Sequence, residues 1–315
     1  MVPGEPAGCR LLDASHDINT NNMSADNLIQ FGKDLKAFPD LPFKMRNSLP
    51  SHPLFEPERI KKLLRTVPRR HIEIRMVQTR DTNDQKYARG QKLDDADPVE
   101  AFERLEEVPT WMLVHESWIH DRDYNDLVKA YVAELAGHCE EMQGGIYDIG
   151  CWLFLSSKSS VVHFHSDPDQ SFLNQVKGSK TVYTYPARIL PESAVENLVR
   201  SSDQGAVSYV PEYEKSLNPP VVLKPGDSVF LPLYGPHRVI NDDVPCISWN
   251  VGFNTRKSLR RKKIHLVNLE LRKFGLPVSS YDRSHTVDTL KHFAYFGFRV
   301  KNKLQRLMGI GATAK

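Results

Sequence analysis

From residue 146 to residue 255 the chain is a succession of short β-type segments: IYDIGCWLFLSS, SVVHFH, SFLNQVKG, KTVYTYP, VVLKPGDSVFLP, HRVIN and CISWNVGFN. Each is rich in β-branched and aromatic residues, and turn residues such as Gly178 and Pro225-Gly226-Asp227 separate them. Strands this short and closely spaced predict an antiparallel barrel or jelly roll, so the core is expected to be mainly β.

The flanks differ in character. Residues 28–145 are expected to form a helical and mixed frame of the same domain. Prolines 39, 42, 50 and 53 break residues 28–67 into short helices, and the segment EPERIKKLLRTV is an amphipathic helix opening at Pro57. The alternation of HIEIRMVQT predicts a strand, the polar segment 80–97 a surface loop, and residues 98–107 a helix leading into the strand TWMLVHESW. Helix formers over 123–142 run up to Gly144-Gly145. Residues 256–315 read as a C-terminal helical extension, and residues 1–27 as a polar, poorly ordered lead-in without the pattern of a signal peptide.

Composition mainly excludes. A net charge of +3 does not mark a nucleic-acid binder, and the absence of a long apolar run predicts no transmembrane segment. Cys9, Cys139, Cys151 and Cys246 form no C-x-x-C pair, which argues against structural zinc and a disulfide framework and for buried free thiols in the cytoplasm.

The chemistry concentrates in HFHSDPDQSFLNQVKGSKTVYTYP, residues 163–186. His165 and Asp167 are two apart, so on an extended strand they project to one face and reach a common metal. A third ligand must come from another strand, and His237 in PGDSVFLPLYGPHRVIN is the candidate. Two histidines and one carboxylate on one side of an iron leave positions open for a bidentate keto acid and dioxygen. His163 with His165 also spells H-x-H, which opens a rival set of three histidines, His163, His165 and His237, although no glutamate follows at the expected place. Asp167 is preferred as the middle ligand, and His163 is read as a neighbour of the site or a substrate-facing residue.

The stretch from His165 to Lys180 resembles the jumonji-C, or cupin-like, branch of the iron(II)- and 2-oxoglutarate-dependent oxygenases, and within it most the asparaginyl hydroxylases. The residues that carry the resemblance are His165-Ser166-Asp167, Gln170, Phe172, Gln175, Lys177-Gly178 and Lys180, then Gly226-Asp227 to His237, and Asn250 in SWNVGF. Together they span residues 146–253, a third of the chain. The resemblance implies a double-stranded β-helix fold with iron(II) held by His165, Asp167 and His237, and with 2-oxoglutarate as cosubstrate. It also implies that Lys180 pairs with the distal carboxylate of 2-oxoglutarate, with Asn250 and Ser171 as further cofactor contacts. A lysine buried on a barrel strand needs an anion, which agrees with that role. Two positions depart from the pattern: Val162 stands where a threonine often assists the cosubstrate, and Trp111 where a tyrosine commonly does.

The implied activity is hydroxylation, with a protein or peptide side chain as one substrate class and a small molecule as the other. The alternatives are a metal-dependent cupin enzyme without a keto acid and a non-catalytic cupin-like binding module. The basic run from Arg256 to Lys263 reads as a solvated helix face or dimer-edge patch, and the last helices suggest a homodimer. The run Ser156-Ser157-Lys158-Ser159-Ser160 reads as a polar turn rather than a nucleophile, since no G-x-S-x-G elbow exists.

Overall fold

The computed structural model describes residues 27–77, 90–138, 140–201 and 207–307. The lead-in up to residue 26, the first part of the 80–97 loop, Cys9 and Cys139 lie outside them. The strands are β1 (Ile29–Gln30), β2 (Phe43–Asn47), β3 (Ile72–Met76), β4 (Thr110–His115), β5 (Ile146–Ser156) and β6 (Val161–His165). They continue as β7 (Gln170–Lys177), β8 (Lys180–Thr184), β9 (Val221–Leu223), β10 (Asp227–Leu231), β11 (His237–Asn241) and β12 (Cys246–Thr255).

A large sheet has the order β1-β2-β10-β7-β12-β5-β4-β3 and a small one the order β6-β11-β8-β9. From β5 onward successive strands alternate between the sheets, except that β8 and β9 pair with each other. Each sheet therefore receives four of the last eight strands, which is the jelly roll, or double-stranded β-helix.

The frame adds strands to both edges of the large sheet. On one side, β4 and β3 extend it beyond β5. On the other, β2 and β1 extend it beyond β10, which corrects the expectation of helices throughout 28–67. Within FKMRN the burial alternates strictly, so a period of two was present between the prolines. The helix at Pro57 forms as α1 (Pro57–Thr66), burying Ile60, Leu63 and Leu64.

Other helices differ in extent. α2 (Pro98–Glu103) stops short of residue 107, and α3 (Ser117–His120) takes the end of the expected TWMLVHESW strand. The expected 123–142 helix is α4 (Arg122–Ala136), capped at Gly137, followed by the separate turn α5 (Glu140–Gln143). Between β8 and β9 lies α6 (Glu192–Ser201), an amphipathic helix missed in the sequence, which buries Val195 and Leu198. α7 (Arg256–Lys273) and α8 (His285–Leu307) complete the chain. Among the described residues, no helix is long and apolar enough to cross a membrane.

Strand β12 shows how sequence alternation places the site. All ten of its residues are buried. Trp249, Val251 and Phe253 join the core formed with α1 and α4, including Ile60, Tyr124 and Tyr131. The intervening Asn250 and Gly252 face the space between the two sheets. Apolar side chains thus anchor one face of the strand, and polar or absent ones open the other.

One ion pair ties α6 to α7. Glu196 is fully buried, and Arg272 Nε donates to its two carboxylate oxygens at 3.0 and 3.2 Å. Burial raises the Glu196 pKa, and Arg272 opposes that rise. Arg272→Ala strands the carboxylate and is expected to cost about 1–3 kcal/mol in urea unfolding; an unchanged midpoint would show the pair to be neutral.

Candidate metal centre and its cavity

The small sheet assembles the candidate ligands. His237 opens β11 and pairs with His165 of β6 on one side and Thr184 of β8 on the other. Farther along, Val239 pairs with Val162, so β6 carries one extra residue between Val162 and His165. Such a bulge re-aims side chains locally. It explains why His163 and His165, although two apart, do not act alike: His165 joins the cluster and His163 stands outside it.

Among the described residues, His165, Asp167 and His237 form the one cluster of His, Cys, Asp or Glu able to hold a metal, with one ligand atom from each within 4.8 Å of the others. The rings of His165 and His237 are 4.2 Å apart by centroids, and His237 Nε2 lies 3.8 Å from Asp167 Oδ2. Two ligands each about 2.1 Å from one ion stand roughly 3–4 Å apart, so the spacing suits a first-row metal. Nδ1 of His165 donates to the His163 carbonyl at 2.8 Å, and Nδ1 of His237 to the Gly235 carbonyl at 3.1 Å. A carbonyl only accepts, so each Nδ1 carries the proton and each Nε2 is the nitrogen that would bind a metal.

The turn before His237 is held from the C-terminal helices. Tyr234 sits in the left-handed region (φ 61°) and is fully buried. The Arg261 guanidinium of α7 lies 5.1 Å from its ring centre and 4.9 Å from that of Tyr281. The helix thereby clamps the turn whose Gly235 carbonyl orients His237.

The cluster opens into a cavity of about 440 Å³ between the sheets. Lys180, Asn250 and Ser171, the expected cofactor contacts, all line it. Lys180 is buried (5% exposed) and has no ion pair among the described residues. Its pKa is pushed down by burial, against a smaller opposing effect of Cys246. The Ser171 hydroxyl and Asn250 Oδ1 are buried without a hydrogen-bond partner. Polar atoms in that state usually await a ligand or water.

Sequence reasoning missed other lining groups. Ser156 and Ser160, read only as parts of a turn, border the cavity, as does Asn241. The signal was faint, since serines beside turns are common. The added strands β3 and β4 contribute Glu73, Arg75, Trp111 and His115 to the lining. His115 and Arg75 hold the Glu73 carboxyl down to a pKa of about 2. Trp152 lies across Gly150 and Gly252, where an added Cβ would come within 2.4 and 2.6 Å of its ring. Those glycines clear the floor for the indole.

The basic run of α7 is mostly drawn inward, which corrects its reading as a solvated face. Lys262 pairs with Asp169, whose Oδ1 also accepts from Asn254 Nδ2 at 2.7 Å. Arg260 donates to Thr289 Oγ1 at 2.8 Å. Arg256 and Lys257 remain exposed, bound to Tyr147 and Glu141 at 3.0 and 3.3 Å. Cys151 and Cys246 are buried free thiols, as expected.

No family model and no curated protein matches the chain. Solved structures similar to it include E. coli ycfD, at 16% identity and a TM-score of 0.48 over 87% of this chain and 69% of that one. YcfD, described as a ribosomal oxygenase from Escherichia coli, in complex with cobalt and 2-oxoglutarate aligns at 16% identity and a TM-score of 0.45, covering 81% of this chain and 61% of its own. Its complex with cobalt and succinic acid aligns at 14% identity and 0.43, covering 86% and 68%. Likeness this distant leaves the chemistry to the residues of this chain.

Proposed function

We propose that the protein is an iron(II)- and 2-oxoglutarate-dependent oxygenase, a hydroxylase in which His165, Asp167 and His237 hold the metal. The observation that carries this reading is the combination of a two-histidine, one-carboxylate cluster and a buried, unpaired lysine in one cavity. A generic metal site has no use for an interior ammonium, whereas a dicarboxylic keto acid needs a metal at one end and a cation at the other.

The donor set fits the metal: two imidazoles oriented by backbone carbonyls and one carboxylate suit iron(II) and leave one side open. When bound, iron(II) and 2-oxoglutarate supply the cleavage of dioxygen, so that the keto acid becomes succinate and carbon dioxide and a substrate C–H becomes C–OH. The protein's part is positional. The two backbone carbonyls fix the imidazoles, Lys180 neutralises the distal carboxylate, and Asn250 and Ser171 present polar atoms to the rest of the cosubstrate, nearer the metal. The walls Val162, Leu173, Leu231 and Val239 keep bulk water from the interior.

The substrate is read as a protein or peptide side chain, with a small molecule as the alternative; a cytoplasmic location agrees with the buried free thiols. The full chain loaded with iron(II) is expected to convert 2-oxoglutarate to succinate, slowly without substrate and faster with it. Absence of succinate across iron(II)-, ascorbate- and oxygen-replete conditions would sink the proposal.

A homodimer through α8 is part of the same reading. Leu290, Phe293 and Phe296 are 66%, 66% and 48% exposed at helical spacing, an apolar stripe that a second copy would cover. Sedimentation is expected to show a dimer that Phe293→Asp converts to monomer; a wild-type monomer at all concentrations would refute it.

A further inference from the structure

The small sheet carries a second row of polar residues, four positions along β11 from the metal row. Asn241 pairs with Lys180 of β8 on one side, and its backbone N–H donates to the Ser160 carbonyl at 2.9 Å on the other. Ser160, just before β6, thus stands beside Asn241 of β11, with Lys180 of β8 on the other side, and all three line the cavity. Asn241 Nδ2 is already committed, donating to Ser156 Oγ and to the Ser157 carbonyl, each at 2.9 Å. Because Ser156 Oγ accepts there, its own proton remains available to give. Ser160 Oγ is buried, in a residue 2% exposed, and has no hydrogen-bond partner.

These observations fit together with the two departures noted in the sequence. Val162 and Trp111 offer no hydroxyl where the resemblance leads one to expect a threonine and a tyrosine, so Lys180 alone would face a carboxylate with three unmet acceptor directions. We propose that this chain completes its distal-carboxylate site with Ser160, supported by Ser156, so that hydroxyls from the end of β5 and the turn after it replace the missing pair. Strands are about 4.8 Å apart, which places the Ser160 and Lys180 backbones about 10 Å from each other across Asn241. A carboxylate held over Asn241 would be within reach of the short side chain on one side and the long one on the other. The hydroxyl donates to one oxygen and the ammonium pairs with the other. The proposal rests on the keto-acid reading and goes beyond it by naming donors that the family pattern does not place here.

The test is binding, read by titration calorimetry on the full chain loaded with cobalt(II), without turnover. Ser160→Ala is expected to weaken 2-oxoglutarate binding about 10- to 100-fold, the effect of losing a hydrogen bond to a charged group. Pyruvate, which keeps the keto acid and lacks the distal carboxylate, is expected to bind wild type and variant alike. Equal 2-oxoglutarate affinity in the two proteins, or an equal loss for pyruvate, would overturn the Ser160 assignment. Wild type that binds 2-oxoglutarate no better than pyruvate would instead overturn the keto-acid reading. Ser156→Ala, on a different strand, is expected to act in the same direction and serves if Ser160→Ala does not fold; unchanged affinity in it would equally count against the site.

Discussion

Asp167→Ala is expected to abolish succinate formation and to weaken metal binding by more than about 100-fold, since even groups that only orient metal ligands are worth 10- to 100-fold. The side chain lies on the loop between β6 and β7, outside the apolar core, so the variant should fold. Metal titration of the purified protein, followed by succinate detection, checks both halves. Retained turnover would overturn the ligand set and favour the three-histidine alternative. His163→Ala supplies the counterpart. Its ring stands outside the cluster, so metal affinity should survive its removal.

Lys180→Met is expected to produce two opposite effects. Removing one partner of a desolvated charge pair should weaken 2-oxoglutarate binding by about 30-fold or more. The ligand-free protein should become more stable, because the folded state no longer carries an unpaired interior ammonium. The sign follows from the depressed pKa. Well below its folded pKa the lysine is charged in both states, and the folded state bears the whole desolvation cost. As pH rises from the folded pKa toward the ordinary value of 10.5, the folded form sheds its proton first and the cost shrinks. Each unit of depression corresponds to about 1.4 kcal/mol. Urea unfolding at neutral pH should therefore favour the methionine variant, with the gap closing in alkali; a less stable variant at neutral pH would contradict this account.

Much of the barrel was legible because each β segment announces itself locally. A period of two, β-branched residues and punctuating Pro-Gly or Gly turns mark β5 to β12 one by one. The ligand candidates were legible for the same reason, since H-x-D spacing becomes geometry once the strand is assumed. Long-range pairing was not. β2 reads as a fragment between prolines and becomes a strand only because β10 offers it an edge. The bulge that separates His163 from His165 arises from the register between β6 and β11, which no window around residue 163 contains. Ser160 gains meaning from Asn241 and Lys180, eighty-one and twenty residues away along the chain. The basic run of α7 looked solvated because its partners, Asp169, Tyr234 and Thr289, belong to other elements.

The Arg261 clamp on Tyr234 bears on how this protein can be shortened. The last barrel strand ends at Thr255, an inviting place to cut a minimal catalytic fragment. A chain stopped there would keep all three ligand residues and lose the guanidinium that packs on the turn before His237. It would also lose Lys262, the ion-pair partner of Asp169 two residues past Asp167. Such a fragment should retain the strands yet bind metal poorly, and a helical swap or graft at this end would retune the candidate metal site from outside the barrel.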